Sequence, residues 1–317
     1  MMFHVMWWLT LLSDPPSPHD LGIQMANEFG RRELRREIVA GGLRRASPGV
    51  FVREVGLDVR AEWLRDATLL SLRVSAGLLS GPTAAALWGL DGFEPPVALQ
   101  MNVGQRGPRR VAGARRVRNV GEPTVRAGLM VTDIVTTLFD ISACSENRPR
   151  GAGVADEEDL VELAVESALR ERFLGEATLR DEIFGAPHQR PGRRHLARLL
   201  TRRPVGAPPT ESYLETRGLQ LVRAAGLPEP QRQVEIFDSD GNFVGRVDFL
   251  VNGTAIEFDG REHHDRSESF ARDRARWNAL SALGLRPLVF TFDDVVRAPR
   301  RTMARLQQVD QFATDHR

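Results

Sequence analysis

The sequence predicts an α+β protein of several domains, and three observations lead there. The chain has 317 residues, more than a single hydrophobic core usually serves. At 42% hydrophobic and 27% charged it has the composition of a folded chain, neither disordered nor fibrous. Segments of helical spacing alternate with short strand-like runs, and two stretches of linker composition interrupt them: "NRPRGAGVADEED" (147–159) and "RRPVGAPP" (202–209). The predicted parts are a poorly packed extension (1–24), a winged-helix-like module (25–80), a small α/β domain (81–146), a linker with helices (147–209) and a C-terminal α/β domain (210–317).

The extension begins "MMFHVMWWLTLLSD", an apolar run of roughly ten residues that is too short to span a bilayer. It lacks the basic start and small-residue cleavage site of a secretion signal, so it reads as a loosely packed arm upstream of Met25. In "ELRREIVAGGLRRASPGVFV", Leu34, Ile38 and Val39 have helical spacing and Gly41-Gly42 stop the helix. "LRRA" and "GVFV" then flank "SPG" as a hairpin. A helix followed by a hairpin is the second half of a winged helix-turn-helix. A helical stretch (61–79) follows. In the next part "PTAAALWGL" reads as a short helix, "VALQMNV" and "RRVRNV" as strands, and Thr132 as the cap of a helix in "VTDIVTTLFDIS". Residues 157–200 hold two or three amphipathic helices.

The last part reads most clearly. "SYLETRGLQLVRAAG" is a helix ending at Gly226, and "RQVEIF" is a strand turned by "DSDG" into "FVGRVDFLV". "NG" turns that strand into "TAIEFDG". A helix follows from about Glu268 to Leu283, then the strand "RPLVFTF" and a closing helix. The order is α-β-β-β-α-β-α.

Composition narrows the chemistry. The net charge is +1, so any nucleic-acid surface must be a local patch. The chain contains no lysine, and all 43 basic residues are arginine. Chemistry that needs a neutral lysine is therefore closed to it, because arginine stays protonated. A single cysteine, Cys144, excludes an intrachain disulfide and a cysteine-rich zinc site, and it points to a reducing cytoplasm.

The stretch "AIEFDGREHH" (255–264) crowds titratable groups at the end of one strand. If Asn252-Gly253 closes a two-residue type I′ turn, Val251 faces Thr254, Phe249 faces Ile256 and Val247 faces Phe258 on one apolar face. On the other face Asp248 then lies opposite Glu257, and Arg246 opposite Asp259. Two carboxylates that close repel, and a shared proton, a cation or an arginine must offset the cost. Mg²⁺ suits such a pair, because it takes one or two carboxylates and keeps several waters. Asp248 and Glu257 are thus the candidate metal ligands, and His264 is a candidate general acid or base near neutral pH. The bland alternative is a solvent-facing pair neutralised by Arg246.

The segment from about Ser212 to Leu306 resembles the nuclease-like domain related to very-short-patch-repair (Vsr) endonucleases, within the PD-(D/E)XK superfamily. "SYLE", "GLPEPQRQ", "GRVDF", "IEFDG", "HH", "FARDRAR" and "LGLRPLVFT" carry the resemblance, in order. It implies a restriction-endonuclease-like fold and a Mg²⁺- (or Mn²⁺-) dependent phosphodiesterase core. It assigns Asp248 to the metal-ligand aspartate, Glu257 to the acidic position of the E-x-K element and His264 to the active-site histidine. Glu215 matches the glutamate of the first helix, although Ser212-x-x-Glu215 also fits a capping box. Asp259 falls where the superfamily has its lysine. Either His264 and an arginine take over the lysine's role, or the domain keeps the fold without turnover. Arg272, Asp273 and Arg276 share one helix face, suited to intrahelical pairing or to phosphate contact.

The front half, about 30–145, resembles the AbiEi-type antitoxins of type IV toxin–antitoxin systems. "REIVAGGLRRASPGVFV", "PTAAALWGL" and "VTDIVTTLFDIS" carry that resemblance. It implies a winged helix-turn-helix joined to a small mixed α/β domain, although "SDPPSPHDLGIQMANEFG" is a poor source of the preceding helices. Arg31, Arg32, Arg35, Arg36, Arg44 and Arg45 cluster over the expected recognition helix and wing as candidate DNA contacts. Taken together, the sequence leads to a Mg²⁺-dependent DNA endonuclease guided by a DNA-binding module in a defence or toxin–antitoxin setting. The alternative is a non-catalytic DNA-binding regulator with a degenerate nuclease fold. DNA is the expected partner; a toxin partner or a homodimer is not derivable from these residues.

Overall fold

The computed structural model describes residues 12–74, 76–108, 110–146, 159–259 and 267–314. The fold is α+β with three sheets, and its contacts divide into two compact units: 1–147 with 179–197, and 148–178 with 198–317. Among the described residues no helix is long and apolar enough to cross a membrane.

In chain order the elements are β1 (Ile23–Met25), α1 (Arg31–Val39), β2 (Arg44–Ser47), β3 (Val50–Val52), α2 (Val59–Arg73), β4 (Leu78–Leu79) and α3 (Gly81–Trp88). Next come β5 (Met101–Val103), β6 (Ala114–Arg116), β7 (Pro123–Arg126), β8 (Leu129–Thr132) and α4 (Ile134–Glu146). Three helices follow: α5 (Leu160–Arg170), α6 (Glu176–Gly185) and α7 (Arg193–Arg202). The last part holds α8 (Tyr213–Ala224), β9 (Gln231–Phe237), β10 (Phe243–Val251), β11 (Thr254–Asp259), α9 (Ser267–Ala282), β12 (Arg286–Thr291) and α10 (Pro299–Thr314).

In the first unit α1 ends where expected: Gly41 adopts a left-handed φ of 76°, and the Gly42 N–H returns to the Glu37 carbonyl. The β2–β3 hairpin forms, but the sheet has a third strand. Ile23–Met25 pairs with Val50–Val52, and Leu21 and Ile23 are each 2% exposed. The loosely packed extension expected over 1–24 therefore does not hold for Leu21–Gln24, and its residues 1–11 lie outside the described residues. "DLGIQM" has too few periodic positions to announce a strand, and only its partner β3 makes it one. The five-stranded sheet has the order β6-β5-β4-β8-β7, of which only β5 and β6 were legible in the sequence. The cap of α4 is Asp133, whose carboxylate accepts the Thr136 N–H at 2.8 Å, in place of the expected Thr132. The Thr132 hydroxyl is buried against that of Thr137 instead.

The second unit is built on a sheet of order β12-β11-β10-β9. β9, β10 and β11 are antiparallel, and β12 runs parallel to β11. That is the expected α-β-β-β-α-β-α order, with α9 as the crossover that a parallel pair requires. One face carries a core of Leu214, Leu219, Phe249, Ile256, Phe258, Phe290 and Leu306. Burying a phenylalanine as completely as Phe249 or Phe290 contributes about 2–3 kcal/mol. Phe258 meets the Phe249 ring edge to face and stacks on Phe290, both at 5.7 Å. The other face packs Val247, Ala255 and Leu280 with Trp277.

Residues 147–209 do not form a simple linker. Helix α5 belongs to the second unit and is fastened to it by buried ion pairs. Glu166, 2% exposed, accepts from Arg203 at 3.2 Å and Arg232 at 2.8 Å, and Glu162 pairs with Arg223. Asp159 caps α5 and is itself tied to Gln220 of α8. Of the first linker, 147–158 lie outside the described residues.

Candidate functional site

The site starts with the turn. Asn252-Gly253 closes β10 onto β11 with φ of 48° and 70°, and the pairs Val251↔Thr254, Leu250↔Ala255 and Phe249↔Ile256 follow as expected. The ladder then stops. The Phe258 N–H donates to Oδ2 of Asp248 at 2.8 Å, so a carboxylate stands where a strand carbonyl was expected. On the β9 side, Val247 pairs with Val234 and Phe249 with Arg232, but Gln233, between them, has a left-handed φ of 51°. Strand β10 changes face at this point. Phe249 belongs to the core with Ile256 and Phe258, whereas Val247, two residues earlier, belongs to the opposite core with Ala255 and Leu280. The continuous apolar face of Val247, Phe249, Ile256 and Phe258 is thus broken at Asp248, because the break in the ladder resets the alternation on which it depended.

Two of the expected residues, Glu215 and Asp248, meet at this break, while the β10–β11 pairing ends at Phe249↔Ile256 and does not set Glu257 opposite Asp248 as expected. Glu215, on the first turn of α8, is 7% exposed, and three donors hold its carboxylate. They are the Glu211 N–H at 2.8 Å, the Ser212 hydroxyl at 3.1 Å and the Gln233 amide at 2.8 Å. Ser212 also accepts the Glu215 N–H, so the capping reading holds, with the returning bond one residue earlier than in the usual box. Burial first, and then the charge of Asp248, push the Glu215 carboxyl up to about 7. Burial likewise raises Asp248, against the Phe258 N–H that lowers it, and Glu211 adds a further repelling charge.

Glu257 pairs with Arg276, which reaches over from α9 and also donates to the Arg246 carbonyl at 3.2 Å. Of the three ways to offset carboxylate crowding, Glu257 therefore uses the arginine. Gly245 makes room for that reach, since a Cβ there would stand 2.9 Å from the Arg276 Cδ. Arg246, expected opposite Asp259, pairs with Glu211 at 2.6 Å instead. Asp259 ends β11, opposite Thr291 of β12. His264 and the side chain of Arg272 lie outside the described residues.

Asp248, Glu215 and Glu257 offer hard oxygen donors of the kind Mg²⁺ selects. The second oxygen of Asp248 has no hydrogen-bond partner among the described residues, and the repulsion between Asp248 and Glu215 is what a cation would relieve. Among the described residues no three His, Cys, Asp or Glu side chains stand at mutual metal-ligating spacing. The fit therefore rests on Asp248 with one further carboxylate and water. Sequence reasoning missed Glu211 and Gln233. Glu211 is four residues before Glu215, a spacing that could have been noticed; nothing in "RQVEIF" signals the left-handed backbone.

In the first unit, Arg31, Arg32, Arg35 and Arg36 on α1 and Arg44 and Arg45 on β2 are all exposed, and among the described residues none forms an ion pair. A second arginine-rich stretch, 106–118, is partly committed inward. Arg115 joins Asn102 and the buried Asp140, and Arg116 bonds the Gly107 carbonyl.

No family model matches the chain. Over 293 residues it is 27% identical to two uncharacterized proteins of Mycobacterium tuberculosis, one from strain CDC 1551 and one from strain H37Rv, and each match covers 87% of this chain and 95% of the relative.

Proposed function

We propose that the protein is a Mg²⁺-dependent DNA endonuclease whose C-terminal unit hydrolyses phosphodiester bonds and whose arginine-bearing first unit binds duplex DNA. The observation that carries this reading is the meeting of Glu215 and Asp248, from a helix and a strand, at a break in the central strand beside Gln233. A bound divalent cation supplies an activated water and neutralises charge on a phosphate oxygen. Asp248 and Glu257 would hold that cation, with Glu215 beside them. Arg276, which already lies against Glu257, is our candidate to stand in for the superfamily's lysine, since a guanidinium can meet a phosphate oxygen through paired N–H donors. The exposed arginines of α1 and β2 supply a local positive surface on a chain of net charge +1.

One observation favours a second reading. The Arg276–Glu257 ion pair neutralises a ligand carboxylate, and Asp259 replaces the lysine; both suit a DNA-binding regulator or antitoxin that keeps the fold without turnover. Incubation of the purified chain with supercoiled plasmid separates the two. Nicking or linearisation in Mg²⁺ or Mn²⁺ that is absent in EDTA supports the nuclease; plasmid binding without cleavage in either metal supports the regulator.

A further inference from the structure

Among the described residues, Gln233 is the one non-glycine residue within a strand that holds a left-handed backbone, at φ 51°. An L-residue adopts that conformation inside a strand only when its surroundings impose it. Here the ladder continues on both sides, through Arg232 and Val234, and Gln233 stands across from Asp248 where β10 also breaks. Its amide N–H reaches Glu215 Oε2 at 2.8 Å. Its amide oxygen is buried and has no hydrogen-bond partner among the described residues. Such an acceptor is rare unless a water or ligand completes it.

We propose that Gln233 is a positioning residue of the carboxylate site, with its amide N–H orienting Glu215 and its amide oxygen accepting a hydrogen bond from a water bound beside Asp248. The inference rests on the cation-dependent reading of the site. It explains why the strand keeps an unfavourable backbone: a regular β9 would carry the side chain of residue 233 away from Glu215. An apolar side chain of the same volume would fill the space and make neither bond.

The test uses the full chain and two variants. Q233M keeps the volume and removes both polar groups, and Q233G accepts the left-handed backbone without penalty. Three quantities are measured: Mn²⁺ affinity by calorimetry without DNA, kcat and KM on supercoiled plasmid, and melting in EDTA. Both variants should bind Mn²⁺ about 10–100-fold more weakly and lose a similar factor in kcat, as residues that orient metal ligands do. KM for DNA should stay unchanged, and Q233G should melt at or above the wild type. Wild-type affinity and kcat in both variants would overturn the inference and leave the site reading intact. A Q233G chain that melts well below the wild type would also overturn it, assigning Gln233 to strand structure alone. A wild-type chain that neither binds Mn²⁺ nor cuts DNA would overturn the site reading, and this inference with it.

Discussion

Replacing Glu215 by glutamine should remove a pH dependence of stability that the wild-type chain carries. The Glu215 carboxyl is raised from its ordinary 4.5 to about 7 by burial and by Asp248. The native form thus holds its proton more tightly than the unfolded form. The resulting stabilisation is fully present below about pH 4.5 and is lost as the pH rises through 7. At about 1.4 kcal/mol per pH unit, the displacement is worth about 3 kcal/mol. Glutamine cannot ionise, but it offers one acceptor oxygen to the three donors around Glu215, so it loses at least one hydrogen bond, worth about 1 kcal/mol. The Glu215→Gln chain should therefore be less stable than wild type by about 1 kcal/mol at pH 5 and more stable by about 1–2 kcal/mol at pH 8. Urea unfolding of both proteins in EDTA at the two pH values measures this. Stabilities that change in parallel with pH would refute the burial and repulsion assigned to Glu215.

Three further outcomes are expected. Replacing Arg35 and Arg36 together by alanine should lower the log–log salt slope of duplex binding by about two, one for each lost phosphate contact; an unchanged slope would mean that these exposed side chains only face solvent. Gly218→Ala places a Cβ 2.3 Å from the Phe258 ring, in the core between α8 and β11, and should cost about 1–3 kcal/mol by thermal or urea melting. Glu166→Gln removes the counter-ion shared by the buried Arg203 and Arg232, which keep Glu176 and Glu229 as partners, and should cost about 1–3 kcal/mol, measured the same way.

The C-terminal order of elements was legible because its punctuation is local. Asn252-Gly253 fixes a turn and with it three residue pairs, Gly226 stops α8 with φ 83°, and Ser212 caps it. The same residues could not show where the alternation fails. The face change between Phe249 and Val247 depends on Gln233 across the sheet and on the Asp248 carboxylate taking the Phe258 N–H, and both are tertiary events. β1 and the β7–β8 hairpin escaped for a related reason. Three- and four-residue strands carry almost no period of their own, and their partners define them. The attachment of α5 was hidden because its charged residues, Glu162 and Glu166, read as a solvated face until Arg223, Arg203 and Arg232 cover them. Of the candidate site, the sequence marked Asp248 and Glu257 by residue type and spacing, and Glu215 only through the resemblance of its helix. It did not mark Arg276 as the partner of Glu257, because that ion pair joins α9 to β11 across the sheet.

Cleavage of supercoiled plasmid by Asp248→Asn beside the wild type, in Mg²⁺ and in Mn²⁺, tests the central claim most directly, with circular dichroism and melting run on the same preparations. Asparagine keeps the shape of the side chain and an oxygen to accept the Phe258 N–H, and it removes the charge that would hold a cation. The account predicts that the wild type cuts only with a divalent cation, and that the variant does not cut while its spectrum and melting match or exceed those of the wild type. Full activity in Asp248→Asn, or wild-type cleavage that persists in EDTA, would contradict it.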